Sequence, residues 1–171
     1  MKKYTFILIL LSFLYIVNQS FSPNLSNISS VSSNFIYPTK YTDISSSYGN
    51  RILYGEPSFH NGIDFLAPLG SEIYASNSGY VECASFLEDG FGNTIILSHD
   101  LGIKTLYCHI SETFLVKVGD YVSQGQIIGY VGPKYLSNGV LNGNTTGPHL
   151  HFTIYKSESP IDPLSILKNN V

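Results

Sequence analysis

From about Ile44 to Leu167 the chain alternates short apolar runs with clusters of turn-forming residues. Runs rich in Ile, Val, Tyr, Phe and Thr last only a few residues before Gly, Asn, Asp or Pro interrupts them. Such runs suit half-buried strands, in which successive side chains point to opposite faces. The pattern predicts strands over Glu72 to Ala75, Gly79 to Ser85, Asn93 to Ser98, Lys104 to His109, Ile127 to Val131 and Leu150 to Tyr155. Gly55-Glu56-Pro57, Glu88-Asp89-Gly90 and Val118-Gly119-Asp120 read as turns. No window carries a helical period of ten or more residues, so the expectation is an all-β domain.

The pattern breaks at the N-terminus. Met1-Lys2-Lys3 is a short basic start, Tyr4 to Val17 is almost wholly apolar, and Asn18 to Ser22 turns polar. That is the layout of a secretory signal peptide over residues 1–22. The apolar run is short for a bilayer span of about 20 residues, so export without a stable membrane span in the mature form is expected. Pro23 sits awkwardly for a cut after Ser22, which keeps an uncleaved N-terminal anchor as the alternative. Residues 23–43, rich in Ser, Asn, Thr and Pro, read as a spacer. The domain then spans 44–167, with 168–171 as a tail.

Charge narrows the partners. The 171 residues carry a formal charge of −3, and loss of residues 1–22 removes Lys2 and Lys3 but no acidic residue, leaving 7 basic against 12 acidic. There is no basic stripe for a phosphate backbone, so nucleic acid is excluded as a partner. Cys83 and Cys108 fall in predicted strands. Two small buried thiols are the simpler reading, although an exported chain permits a disulfide.

The candidate chemistry lies in the histidine-bearing segments. In Thr146-Gly147-Pro148-His149-Leu150-His151-Phe152 two histidines stand at i and i+2. On a strand they share a face, roughly 6.5 to 7 Å apart at the backbone. Upstream, Phe59-His60-Asn61-Gly62-Ile63-Asp64 adds an imidazole and a carboxylate four residues apart. Gly62 and the flanking aromatics argue against a helix there, so the pair is expected to meet through a turn or bulge at Gly62. A catalytic zinc site takes three such ligands and keeps a fourth position open. His60, Asp64 and one of the two strand histidines can supply that set.

Three segments, Phe59 to Asp64, Leu106-Tyr107-Cys108-His109-Ile110 and Thr146 to Phe152, resemble the signature motifs of the LytM/lysostaphin-type zinc metallopeptidases, the M23 family. Ser47-Tyr48-Gly49-Asn50-Arg51, Ala67 to Ser71 and Gly119 to Gly129 add to the likeness, which covers roughly residues 44 to 165. The resemblance implies a compact, mostly antiparallel β domain with a groove over the sheet. It implies one zinc per chain, with His60, Asp64 and His151 as ligands and His109 and His149 as metal-free catalytic histidines. The substrate it implies is peptidoglycan, cut at a stem-peptide or cross-bridge bond in the cell envelope, periplasmic or extracellular. A regulatory protein partner is compatible with it.

His99 falls outside the metal set, on the surface or behind the site. The stretch from Gly132 to Thr145 looks longer than the family's usual connection, and its Gly and Asn content reads as a mobile loop at the groove rim. Two other classes fit the residues less well. A non-enzymatic wall-binding or hydrolase-regulating protein on the same fold would lack a ligand, and none is missing. The hairpin from Val116 to Gly129 also resembles that of biotinyl or lipoyl carrier domains, but no lysine stands at an exposed turn of the required type.

Overall fold

The computed structural model describes residues 34–168. The expected signal peptide lies outside the described residues. In chain order the strands are β1 (Phe35–Ile36), β2 (Ile44–Ser46), β3 (Gly49–Leu53), β4 (Glu56–His60), β5 (Ile63–Phe65), β6 (Glu72–Tyr74), β7 (Gly79–Leu87), β8 (Gly92–Ser98), β9 (Ile103–Cys108), β10 (Tyr121–Val122), β11 (Ile127–Tyr130), β12 (Leu150–Lys156), β13 (Ser159–Ile161) and β14 (Leu167–Lys168). Two 3-10 turns, Asp100–Gly102 and Pro163–Ser165, are the only helical pieces among the described residues. The domain is all-β, as the alternation predicts. Each of the six anticipated strands is present within two residues of its expected ends.

One eight-stranded sheet runs in the order β10-β7-β8-β9-β12-β5-β2, with β13 also paired to β12. Every pairing in it is antiparallel. β12 is buried through Leu150, His151, Phe152, Thr153 and Ile154. Leu150, Phe152 and Ile154 alternate onto one face and pack with Ile63, Phe65, Ile95, Leu97 and Tyr107, all 0 % exposed. Burying each such side chain stabilises the fold by about 1.5 to 3 kcal/mol. The opposite face carries His151 and Thr153, which makes it the functional face.

Residues 34–43, inside the stretch read as a spacer, pack against the domain. Phe35 is 0 % exposed within the core, and Phe35 and Ile36 pair in parallel with Leu167 and Lys168. Tyr37 meets Phe65 edge to face. A two-residue strand has no period to detect, which is why composition alone assigns this segment to a linker.

Candidate metal centre

Strand register brings the site together. β12 pairs with β5 so that His151 stands directly opposite Asp64, and with β9 so that His151 also stands opposite Cys108. Asp64 and His151 therefore share a face by pleat alone. His60 ends β4, and the chain bends through Asn61 and Gly62 into β5. The expected turn is present, but Gly62 serves it by size rather than by dihedral angle. A Cβ at Gly62 would lie 2.4 Å from the Phe152 carbonyl oxygen and 2.6 Å from Thr153 Oγ1, so only glycine lets this bend lie against β12.

The three side chains converge on one point. His60 Nε2 lies 3.2 Å from Asp64 Oδ1 and 3.0 Å from His151 Nδ1, and His151 Nδ1 lies 2.8 Å from Asp64 Oδ1. The outer nitrogens are taken. His60 Nδ1 donates to the Ser47 carbonyl at 3.0 Å, and His151 Nε2 donates to the Thr153 hydroxyl at 2.9 Å. Neutral rings so fixed turn two lone pairs inward beside a carboxylate. Burial raises the Asp64 carboxyl, but when His151 and His60 carry protons on their inward nitrogens their hydrogen bonds and charge outweigh it and hold the group below its usual range; with those protons turned outward the same two nitrogens are open to a cation. An ionised carboxylate and two inward lone pairs form an electron-rich triangle that suits a cation. Corners of a zinc tetrahedron with bonds of about 2.0 Å stand about 3.3 Å apart, so the donor set fits that metal.

Two further imidazoles flank the triangle. His109, just past β9, has φ +61°, a left-handed conformation uncommon outside glycine. That backbone ends the strand at Cys108, one residue earlier than the alternation predicts. His109 Nδ1 donates to the Asn142 carbonyl at 2.7 Å, and His149 Nδ1 donates to the Gly147 carbonyl at 2.9 Å. Both rings are left with Nε2 free for chemistry, and His149 Nε2 lies 3.7 Å from Asp64 Oδ1. Ring centroids of His109 lie 4.7 Å from those of His149 and 6.1 Å from those of His151. Burial, then the neighbouring His149 and His151, push the His109 pKa down to about 3. All five side chains singled out in the sequence thus share one locus.

Arg51 belongs there as well. Its Nη1 donates to Ser46 Oγ at 2.5 Å and stands 3.7 Å from Asp64 Oδ2, the oxygen facing away from the triangle. Its signal is the β3–β4 ribbon, in which Arg51 opposes Ser58 two steps from the Gly49–His60 pair. A cavity of about 400 Å³ lined by Asn50, Arg51, Ile52, Pro57, Ser58 and Phe59 opens beside it. Tyr107 is a core residue whose hydroxyl accepts from the Ser76 amide, and Asn61 donates to Tyr155 Oη at 3.4 Å.

His99 lies away from the site, as expected. Its Nδ1 donates to the Ser78 carbonyl at 2.8 Å, and its Nε2 meets Thr105 Oγ1 at 2.8 Å. Cys83 and Cys108 are both free thiols, and burial pushes the Cys108 thiol up to about 12. Cys108 is therefore held as the neutral thiol.

An all-β domain that gathers two imidazoles and a carboxylate around one point, with two more imidazoles alongside, has the donor set of a metal-dependent hydrolase. The chain belongs to Peptidase family M23, whose model matches residues 58–163. It is 35 % identical over 133 residues to the DD-carboxypeptidase/endopeptidase Mpg of Neisseria meningitidis, a match covering 77 % of this chain and 28 % of Mpg. Among solved structures, a zinc-containing peptidase from Vibrio cholerae superposes with a TM-score of 0.64 at 32 % identity, over 75 % of this chain and 39 % of that one. The catalytic domain of the antimicrobial peptidase lysostaphin from Staphylococcus simulans gives 0.61 at 34 % identity, over 72 % and 90 %. The chain spans about a quarter of the length of the curated relatives it matches.

Proposed function

We propose that this protein is an exported zinc endopeptidase that hydrolyses peptide bonds of bacterial peptidoglycan in the cell envelope. The observation that carries the reading is the convergence of His60 Nε2, Asp64 Oδ1 and His151 Nδ1, with the Nε2 atoms of His109 and His149 free beside them. His60, Asp64 and His151 would hold the metal. Zinc, when bound, supplies Lewis acidity and a water acidified toward about pH 7.

The chain's own residues handle the protons. With Nδ1–H committed to a carbonyl, a neutral imidazole presents a lone pair at Nε2 and accepts a proton there from the attacking water. One of His109 and His149 does this, while its partner, when it carries a proton at Nε2 as the imidazolium, donates a hydrogen bond to the developing oxyanion. The proton then passes to the leaving amine. Arg51 adds a fixed positive charge behind Asp64. The cavity beside Arg51 offers room for a substrate segment on the same side of the ribbon.

Peptidoglycan as substrate is supported by the relatives, whose names include peptidoglycan DD-endopeptidases and lysostaphin. The test is zinc content of the purified protein together with peptide release from isolated cell walls by wild type and His149→Ala. One zinc per chain, with release that the substitution abolishes, is the expected result. Absence of both zinc and release would shift the reading to a non-enzymatic wall-binding protein.

A further inference from the structure

Asn142 is 0 % exposed, although asparagine is mostly a surface residue. It lies just beyond a small hairpin that closes through the Tyr135–Leu141 bridge and the Leu136 amide donating to the Val140 carbonyl at 2.8 Å. The segment read as a mobile rim is thus tied down, and Asn142 is its main tether. Every polar group of the residue is used. Its amide donates to the Lys134 carbonyl at 2.9 Å, and its Oδ1 accepts from the Asn93 amide at 2.8 Å. Its Nδ2 donates to the carbonyls of Ile110 at 2.9 Å and Pro133 at 3.2 Å. Its own carbonyl takes the fifth bond, from His109 Nδ1 at 2.7 Å.

These partners surround His109. The His109 carbonyl accepts from the Gly132 amide at 2.8 Å, next to Pro133, and Ile110 is the following residue. Asn93 lies on β8, so the tether joins the loop to the sheet. The seat is built to fit, since a Cβ at Gly92 would meet the Asn142 main chain at 2.4 Å and its Oδ1 at 2.6 Å. The amide is also the only group of its size that answers one N–H and two carbonyls. Aspartate offers no donor to Ile110 and Pro133, and leucine offers nothing to all three.

We propose that Asn142 is the positioning residue of His109: its side chain fixes the main-chain carbonyl that holds this imidazole as the Nδ1–H tautomer, with Nε2 directed at the metal ligands. A carbonyl on an untethered loop would move with the loop, and the ring would be free to turn or to exchange its proton between nitrogens. The consequence for turnover rests on the hydrolase reading; the consequence for the tautomer does not.

The test uses the full chain. Ring nitrogen–proton NMR correlations of ¹⁵N-histidine-labelled wild type, Asn142→Ala and Asn142→Ser near neutral pH report the tautomer of His109 directly, and His109→Gln assigns its signals. Wild type shows a single Nδ1–H state. Asn142→Ala shows a mixture or the Nε2–H state, with kcat on cell-wall fragments down roughly 10- to 100-fold and KM little changed. Asn142→Ser, which keeps one short polar group, lies between the two and carries the test if the alanine variant does not fold. Ser137→Ala, which removes the hairpin's side-chain bond to Glu112 while the backbone amide still donates there, and which leaves Asn142 alone, keeps the wild-type tautomer and rate. A folded Asn142 variant that retains the Nδ1–H state and full kcat would overturn the proposal. If wild type releases nothing from walls while Asn142→Ala still loses the Nδ1–H state, the hydrolase reading fails and the positioning role stands.

Discussion

His109 and His149 meet ring to ring at 4.7 Å between centroids, and each has its Nδ1 anchored on a main-chain carbonyl. Under the proposed function, two imidazoles so oriented would serve proton transfer without holding the metal. His109→Gln and His149→Gln should each keep zinc while slowing turnover by about 10²- to 10⁴-fold, the usual scale of general acid–base assistance. Metal analysis and wall-release rates on the same preparations check both halves. A variant that loses its zinc would move that histidine into the ligand set.

Asp64 supplies one of the three inward donors and neutralises charge at the centre. Asp64→Ala should lower zinc affinity by at least about 100-fold, beyond the 10- to 100-fold that loss of an outer partner costs. Competition with a chromogenic chelator reads this directly. Full zinc retention would place the metal elsewhere.

Gly62 lets the bend between β4 and β5 lie on β12. Gly62→Ala puts a methyl within 3.0 Å of the Phe152 carbonyl, Thr153 Oγ1 and His151 Cε1. The strands must part, at a cost of about 1 to 3 kcal/mol, and zinc affinity should fall with stability because His151 is among the atoms displaced. Denaturant midpoints and chelator competition, measured side by side, test the link. A stable variant with unchanged affinity would show that the bend yields freely.

Burial holds the His99 pKa below its ordinary value, against the opposing pull of the Ser78 carbonyl and Asp100. The folded value lies below the unfolded one of about 6.5, so the unfolded chain protonates first as pH falls. The contribution of neutral His99 is therefore complete above about pH 6.5 and declines as pH drops through the folded value. Glutamine at 99 can keep a donor for the Ser78 carbonyl without titrating. The wild-type melting temperature, relative to His99→Gln, should fall between pH 7 and 5. Parallel curves over that range would remove His99 from the linkage.

The long strands were legible because β7, β8, β9 and β12 carry enough residues to display alternation and β-branched content. The candidate metal set was legible because His60, Asp64 and His151 all sit in strands, where register converts spacing into proximity. Short elements were not. Phe35–Ile36 has no period, and its place depends on partners far along the chain, among them Leu167–Lys168 and the Ser76 carbonyl. Asn142 was invisible for another reason. An asparagine among glycines has the composition of a loose loop, and its five bonds exist only once β8, β9 and the hairpin have come together. Arg51 lies between these cases, since its role depends on the β3–β4 pairing rather than on any local pattern.

Phe35 deserves its own test because it fills core space from outside the expected domain. Phe35→Ala should cost about 3 to 5 kcal/mol, measured by chemical denaturation. A loss under about 1 kcal/mol, nearer to a surface change, would return residues 34–43 to the status of a linker.

β1 and β14 lie side by side at the same edge, so the chain enters and leaves the fold through neighbouring doorways. A unit with its entrance and exit together travels as a cassette: it can be spliced between unrelated modules without threading them through one another or opening its own sheet. Every residue of the candidate site, from His60 to His151, lies between the two doors.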